Sequence, residues 1–454
     1  MRIHLPVVRF IRIAAALASA GAVRADTSDE IRALREQIRQ LDEKLQALER
    51  KQPDQAAADA TALKPAAKIS VGDNGLTLAS VDGASSLRLR GLVQLDSRNH
   101  LIRTTGAGDS FVLRRARIFA EGRFARNFTF QIVPEFAGSS PSLLDASVGV
   151  DLGHGMQVKA GKFKVPIGLE LLQSDSWTFF DERALPTNLV PNRDLGLQFS
   201  GELSDGAVKY AAGVFNGVAD GASSTNADFD SNKEVVARIA VSPFAGDPGS
   251  VFHRLSFGVA GGAGLEKSAA GLSSGDRTEA QQTFFKYRSG TVADGGVRRV
   301  SPQLDFRRGP FGLIGEYVVS TATVRPGGVA MKTVLSHRAW QVAAGYVLTG
   351  EDSSFDGVVP ARAFDPAAGT WGAFEIVARY ANLTIDRAAF PAVADPATNA
   401  RGAASVGVGL NWYLSKMVRA TFDYYRTKFA EPPPGAPLLE DGEEVLITRL
   451  QLAF

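Results

Sequence analysis

From about Ser70 to the end of the chain, apolar and polar residues alternate with a period of two, the pattern of strands that have two unlike faces. Between Ser86 and Asp96, Leu87, Leu89, Gly91, Val93 and Leu95 oppose Ser86, Arg88, Arg90, Leu92, Gln94 and Asp96. Phe374, Ile376, Ala378 and Tyr380 oppose Glu375 and Arg379 in the same way, and Val418, Ala420, Phe422 and Tyr424 oppose Arg419, Thr421 and Asp423. Roughly 16 such segments of about ten residues follow one another, separated by Gly, Asp, Ser and Pro clusters, which is the signature of an outer-membrane barrel. A soluble β-sandwich alternates too. The barrel is favoured by the number of strands, by Trp340, Tyr346, Trp412, Tyr413 and Tyr425 near segment ends as an aromatic girdle, and by a chain that stops inside a strand at Phe454. The expected fold is all-β, a 16-stranded antiparallel transmembrane β-barrel over residues 84–454, preceded by a short N-terminal coiled-coil helix.

The first 83 residues follow other periods. Arg2, Arg9 and Arg12 precede an apolar run from Ile13 to Val23, with small residues at Val23 and Ala25, so residues 1–25 read as a secretory signal peptide. The run is too short for a membrane anchor, which needs about 20 residues. Ile31, Leu34, Ile38, Leu41, Leu45 and Leu48 keep one apolar seam on a helix within 26–52. This predicts a periplasmic coiled coil, or an amphipathic helix docked on its own domain. Pro53 and the Ala-rich stretch after it open a linker over 53–83.

Composition narrows the chemistry. The 454 residues include no Cys, which excludes disulfides and thiolate metal sites. Fifty Lys and Arg against 48 Asp and Glu give a net charge of +2, falling to about −2 once the four Arg of residues 1–25 are removed. That balance argues against nucleic acid as a partner. The five histidines are isolated, without metal-ligand spacing. Gly271 to Gly275 matches a nucleophile elbow, but it lies in a Gly and Ser-rich stretch with no strand before it or helix after it. Asp228, Asp230 and Asn232 begin like a calcium loop, yet Lys233 stands where Gly is needed. No enzyme, cofactor or metal is expected.

Several segments in order carry a family resemblance: FVLRRARIFAEG (111–122), VKAGKFKVPIGLE (158–170), FFDERALP (179–186), DLGLQFSG (194–201) and LNWYLSKMVRATFDYYR (410–426). Together they resemble the phosphate-selective porin O and P family of Gram-negative outer membranes. The resemblance implies a homotrimer of 16-stranded barrels, each narrowed by an inward third loop, here about 165–193. It also implies that Arg114 and Arg115 of the RRAR strand and Asp145 meet that loop. By strict alternation Arg115 points inward and Arg114 outward, so Arg114 can serve only if the strand is bulged or ends there. Lys162, Lys164, Arg183 and Arg193 in or beside the loop, with Arg117 on the wall, complete the expected pore lining. Phosphate-selective members place a lysine directly before the aromatic that is Trp177 here; this chain has Ser176, preceded by Asp175.

With the polar face as lumen, the inner wall carries a modest excess of cations, and a mild preference for small anions such as chloride or phosphate follows. Alternatively, opposite charges simply cross-link neighbouring strands. The expected function is therefore an outer-membrane porin, embedded in outer-membrane lipid, for passive diffusion of small hydrophilic solutes. The competing reading is a barrel-anchored structural or adhesion protein that contacts the cell wall through the coiled coil.

Overall fold

The structure is a computed structural model that describes residues 32–47, 67–102, 108–434, 437–440 and 442–454. The expected signal peptide lies outside the described residues, as do Ile31 and Leu48 of the heptad. The chain divides into two units, residues 1–66 and 67–454. In the first, residues 32–47 form a helix on which Leu34, Ile38, Leu41 and Leu45 are each more than half exposed.

The second unit begins with a hairpin inside the segment expected as linker. Strands β1 (Lys68–Gly72) and β2 (Gly75–Ala79) pair in register Lys68↔Ala79. Ile69, Val71, Leu76 and Leu78 supply the short alternation, and Gly75 takes the positive φ that the tight turn needs.

Sixteen strands then build the barrel: β3 (Ser86–His100), β4 (Ser110–Phe124), β5 (Phe128–Glu135), β6 (Ser142–Gly153), β7 (Met156–Lys164), β8 (Arg193–Leu203), β9 (Val208–Phe215), β10 (Glu234–Val241), β11 (Arg254–Glu266), β14 (Val292–Arg308), β15 (Phe311–Arg325), β16 (Thr333–Val347), β17 (Ala373–Thr384), β18 (Gly402–Tyr413), β19 (Val418–Ala430) and β20 (Glu443–Ala453). Two small strands, β12 (Asp276–Arg277) and β13 (Thr283–Phe285), pair within the connection after β11. Each barrel strand pairs antiparallel with the next, and β20 pairs with β3 from Val445↔His100 to Ala453↔Leu92, which closes the sheet and removes its edges. The terminal Phe454 completes the seam: its amide and carbonyl bond Gly91, and a Cβ on Gly91 would come 2.5 Å from the Phe454 ring.

The wall is uneven in height. Strands β9 and β10 have 8 residues each, whereas β14 has 17 and β15 and β16 have 15 each. At one end most connections are tight turns, such as 154–155 and 309–310; at the other they are long loops. The turn end faces the periplasm and the loop end the exterior.

The alternation holds over the barrel, with Val342, Ile376 and Val408 facing out and Gln341, Glu375 and Arg379 facing in. Two aromatics expected in the girdle are corrected. Tyr413 and Tyr425 are buried in the interior, where Tyr413 donates to Glu375 at 2.8 Å and Tyr425 to Asp181 at 2.5 Å. Both are odd-numbered and share a face with Arg419 and Asp423, so the period-2 rule outranks proximity to a strand end.

Candidate permeation constriction

The loop between β7 and β8, residues 165–192, folds into the barrel. Its apolar residues explain why: Val165, Ile167, Leu171, Phe179, Phe180, Leu185 and Leu189 are all buried, so the loop carries its own core into the lumen. Phe179 lies so close to the wall that a Cβ on Gly345 would sit 2.7 Å from its ring. Backbone groups of the loop are held by side chains of distant strands. Gln94, Asn411, Arg419 and Gln451 donate to the carbonyls of Asp175, Phe179, Thr178 and Ser176 at 2.8–3.1 Å, and Glu316 accepts the Leu169 amide at 2.6 Å.

Two loop carboxylates collect the cations of the wall. Asp175 is ion-paired with Arg115 at 3.3 Å, with Arg183 at 2.5 Å and with Arg117. Glu182 accepts from Arg114 at 2.5 and 3.0 Å, from Arg98 at 3.1 Å and from Arg449 at 3.2 Å. Burial alone would raise the Asp175 carboxyl, but Arg115, Arg183, Arg117 and Lys164 outweigh it and hold it well below the usual carboxylate range. Burial is likewise outweighed at Glu182, chiefly by Arg114, and that carboxyl is also lowered. Behind the loop, Arg449 grips Asp96 at 2.6 and 2.8 Å, and Arg379 reaches Glu170 at 3.5 Å and Glu279 at 3.2 Å.

Arg114 takes part because β4 is bulged. The β3–β4 register slips between Gln94↔Arg115 and Leu95↔Leu113, which leaves Arg114 unpaired and turned inward beside Arg115. The other expected residues fall nearby. Arg193 bonds Asp145 at 3.1 and 3.2 Å, and Lys164 donates to the Gln173 carbonyl at 2.8 Å. Lys162 is buried in register with Ala146 and Leu195 of the neighbouring strands and lines neither chamber. Ser176 is also buried against the wall at Gln451 and lines neither chamber.

Two chambers flank the constriction. The loop-end chamber, of about 250 Å³, is lined by Arg114, Arg115, Glu182 and Arg183, by Asn188 and Asn192, and by Ser273 to Gly275 of the connection after β11. The turn-end chamber, of about 490 Å³, is lined by seven cationic side chains, Arg90, Arg117, Lys159, Lys164, Arg193, Lys209 and Arg238, against three carboxylates, Asp145, Asp175 and Asp356. Phe355 and Asp356 come from the connection 348–372, which rises from the turn end; Gln173 of the inward loop donates to the Phe355 carbonyl at 2.7 Å. The carboxylate partners Asp96, Asp175 and Glu182 and the inward rise of 348–372 were not among the expected site features. The acidic residues within 165–193 were the available signal for two of them.

Solved structures with this fold include the outer membrane channel DcaP of Acinetobacter baumannii (11% identity, TM-score 0.52, covering 83% of this chain and 99% of that one). The anion-selective porin of Comamonas acidovorans (14%, 0.50, 82% and 100%) and OmpT of Vibrio cholerae (12%, 0.50, 82% and 98%) are similar in the same way. No curated protein matches the chain. The model of the family described as phosphate-selective porin O and P matches residues 87–454, nearly the whole barrel unit. The chain belongs to that family, and the protein is an outer-membrane porin, a channel rather than an enzyme.

Proposed function

We propose that this porin admits small hydrophilic solutes by diffusion with a mild preference for anions, chloride foremost and phosphate only weakly. The observation that carries the reading is the turn-end chamber, with seven cations against three carboxylates. A low-dielectric wall strengthens such a field and raises the local anion concentration. Weak rather than tight phosphate binding follows from Asp175 and Glu182, which already occupy the guanidinium donors that a dehydrated oxyanion would need. Arg114, Arg115 and Arg183 act from the loop-end side, and Arg117, Asp145, Lys164 and Arg193 from the turn-end side. The functional unit is a homotrimer, and the exposed seam Leu34, Ile38, Leu41 and Leu45 supports self-association of the periplasmic helix.

Planar-bilayer recording of the purified protein under a KCl gradient tests this reading. Conductance in steps of three with chloride favoured is expected, with little block by phosphate at millimolar concentration. Block at micromolar phosphate would restore a dedicated phosphate channel. Absence of conductance would leave a barrel-anchored structural protein.

A further inference from the structure

The outer face of the tall wall changes character along its height. Toward the turn end it is apolar, with Leu304, Val342 and Ile376 facing outward. Higher up stands a row of aromatics on adjacent strands: Tyr317 of β15 pairs directly with Trp340 of β16, whose ring lies 5.2 Å from Tyr380 of β17. Toward the loop end from that row, among outward Val300, Val319 and Val334, stand Arg298 on β14, Arg338 on β16 and Lys428 on β19, all three exposed. Thr321 and Ser336 lie in register with Arg298, and Thr321 donates to Ser336 at 3.2 Å.

The depth of this belt follows from strand geometry. Arg338 lies ten residues before Leu348 at the turn end. At about 3.3 Å per residue and a tilt near 40°, that is roughly 25 Å along the barrel axis, the height of the apolar band of such barrels. The aromatic row marks the upper edge of the band, where amphipathic rings settle. The cations therefore sit at headgroup level in the outer leaflet, where exposing charge to lipid is cheap, and not at the midplane, where it is costly.

The carboxylates on this part of the wall are already engaged. Asp386 accepts the amides of Ser336 and Ala388, Glu431 pairs with Arg387 and Arg401, Glu444 with Arg426, and Asp294 with Arg325 and Lys332. Among the described residues, no carboxylate lies within ion-pair distance of Arg298, Arg338 or Lys428. Arg298 is in register with Ser336, so it lies two strands across and two residues along from Arg338, roughly 12 Å at the usual spacings. Uncompensated guanidinium forks in a row at a membrane surface complement phosphate oxygens.

We infer that Arg298, Arg338 and Lys428 form a docking belt for the phosphate groups of phosphorylated glycolipid in the outer leaflet, with Trp340 and Tyr317 against its acyl chains. This rests on the outer-membrane assignment and not on the anion-pore reading, because none of these side chains faces the lumen.

The test is native mass spectrometry of the full protein in detergent with a divalent-ion chelator, offered purified outer-leaflet glycolipid with its phosphates intact or enzymatically removed. The intact lipid should be retained about tenfold or more above the dephosphorylated form, consistent with a gain of roughly tenfold for each one or two basic residues near an anionic surface. R298Q/R338Q/K428Q should lose that excess while keeping wild-type conductance, which reports a folded pore. Equal retention of the two lipids by the wild-type protein would overturn the belt without any variant. So would full retention of the phosphorylated lipid by a conducting triple variant.

Discussion

The constriction and the turn-end chamber are both lined by cations, but the constriction holds its arginines in ion pairs while the chamber leaves several cations without one. At the constriction, Arg114, Arg115, Arg117, Arg183 and Arg449 converge on Asp175 and Glu182, so their charge is spent on fastening the loop. In the chamber, Lys209 has no ion-pair partner among the described residues, and Arg238 bonds only the neutral Gln303 at 3.0 Å. The narrowest point thus works as a rigid, ion-paired sieve, while the wider vestibule, with unpaired cations, supplies the field that favours anions. Cross-linking and ion selection, which compete as readings of the inner-wall charges, are both realised, at different heights.

That division can be broken most forcefully at Asp175. Asp175→Asn leaves Arg115, Arg117 and Arg183 without their shared anion, and losing one partner of a buried ion network costs about 3–5 kcal/mol. A lower melting temperature and a several-fold rise in anion preference are expected, read by calorimetry and zero-current potential. An unchanged potential would mean that these guanidiniums do not face the ion path. The converse changes, Arg115→Ala and Arg183→Ala, each make the constriction more negative. Each should lower anion preference by an amount on the order of 1 kcal/mol in anion energy, the size of one charge at a partly solvated site. If both leave selectivity unchanged, those arginines are purely structural.

The chamber is tested separately with Lys209→Gln/Arg238→Gln. Its stability should stay within about 0.5 kcal/mol, because neither side chain is ion-paired. Its anion preference should fall by roughly half, since long-range charges act through a screened field. A loss of stability without a shift in potential would reverse the roles assigned to the two regions.

The smallest effect is one of pH. A carboxyl whose folded pKa is depressed contributes stability that is fully present above its ordinary value, near 3.9, and is lost as pH falls through the folded pKa. Asp175 is such a group. The difference in zero-current potential between wild type and Asp175→Asn should therefore persist undiminished from pH 8 to about pH 5. Convergence of the two near pH 6 would show that Asp175 is protonated there.

Much of this was legible in the sequence, for physical reasons that also mark where legibility ends. A strand's period is local, so the lumen-facing sets that include Arg117, Arg379 and Arg449 follow from parity alone. A bulge is one of the two conditions, with a strand end, under which alternation lets Arg114 join Arg115, and the bulge is the one realised. Partnership is not local: Arg449 meets Glu182 across 267 residues, and no periodicity encodes that encounter. The inward rise of 348–372 was hidden because turn-end connections are short by rule, and nothing in its composition marks the carbonyl of Phe355 as a partner for Gln173. Parity also fails to separate Lys162 from Lys164, although only Lys164 of the two reaches the turn-end chamber.

The central claim is that an ion-paired constriction backed by a basic vestibule with unpaired cations makes a mildly anion-preferring pore. The zero-current potential of the wild-type protein under a KCl gradient addresses it most directly, with Lys209→Gln/Arg238→Gln recorded alongside. A potential favouring chloride a few-fold, reduced in the double variant, is the result this account predicts. A cation-favouring potential, or an anion preference untouched by removing both vestibule charges, would contradict it.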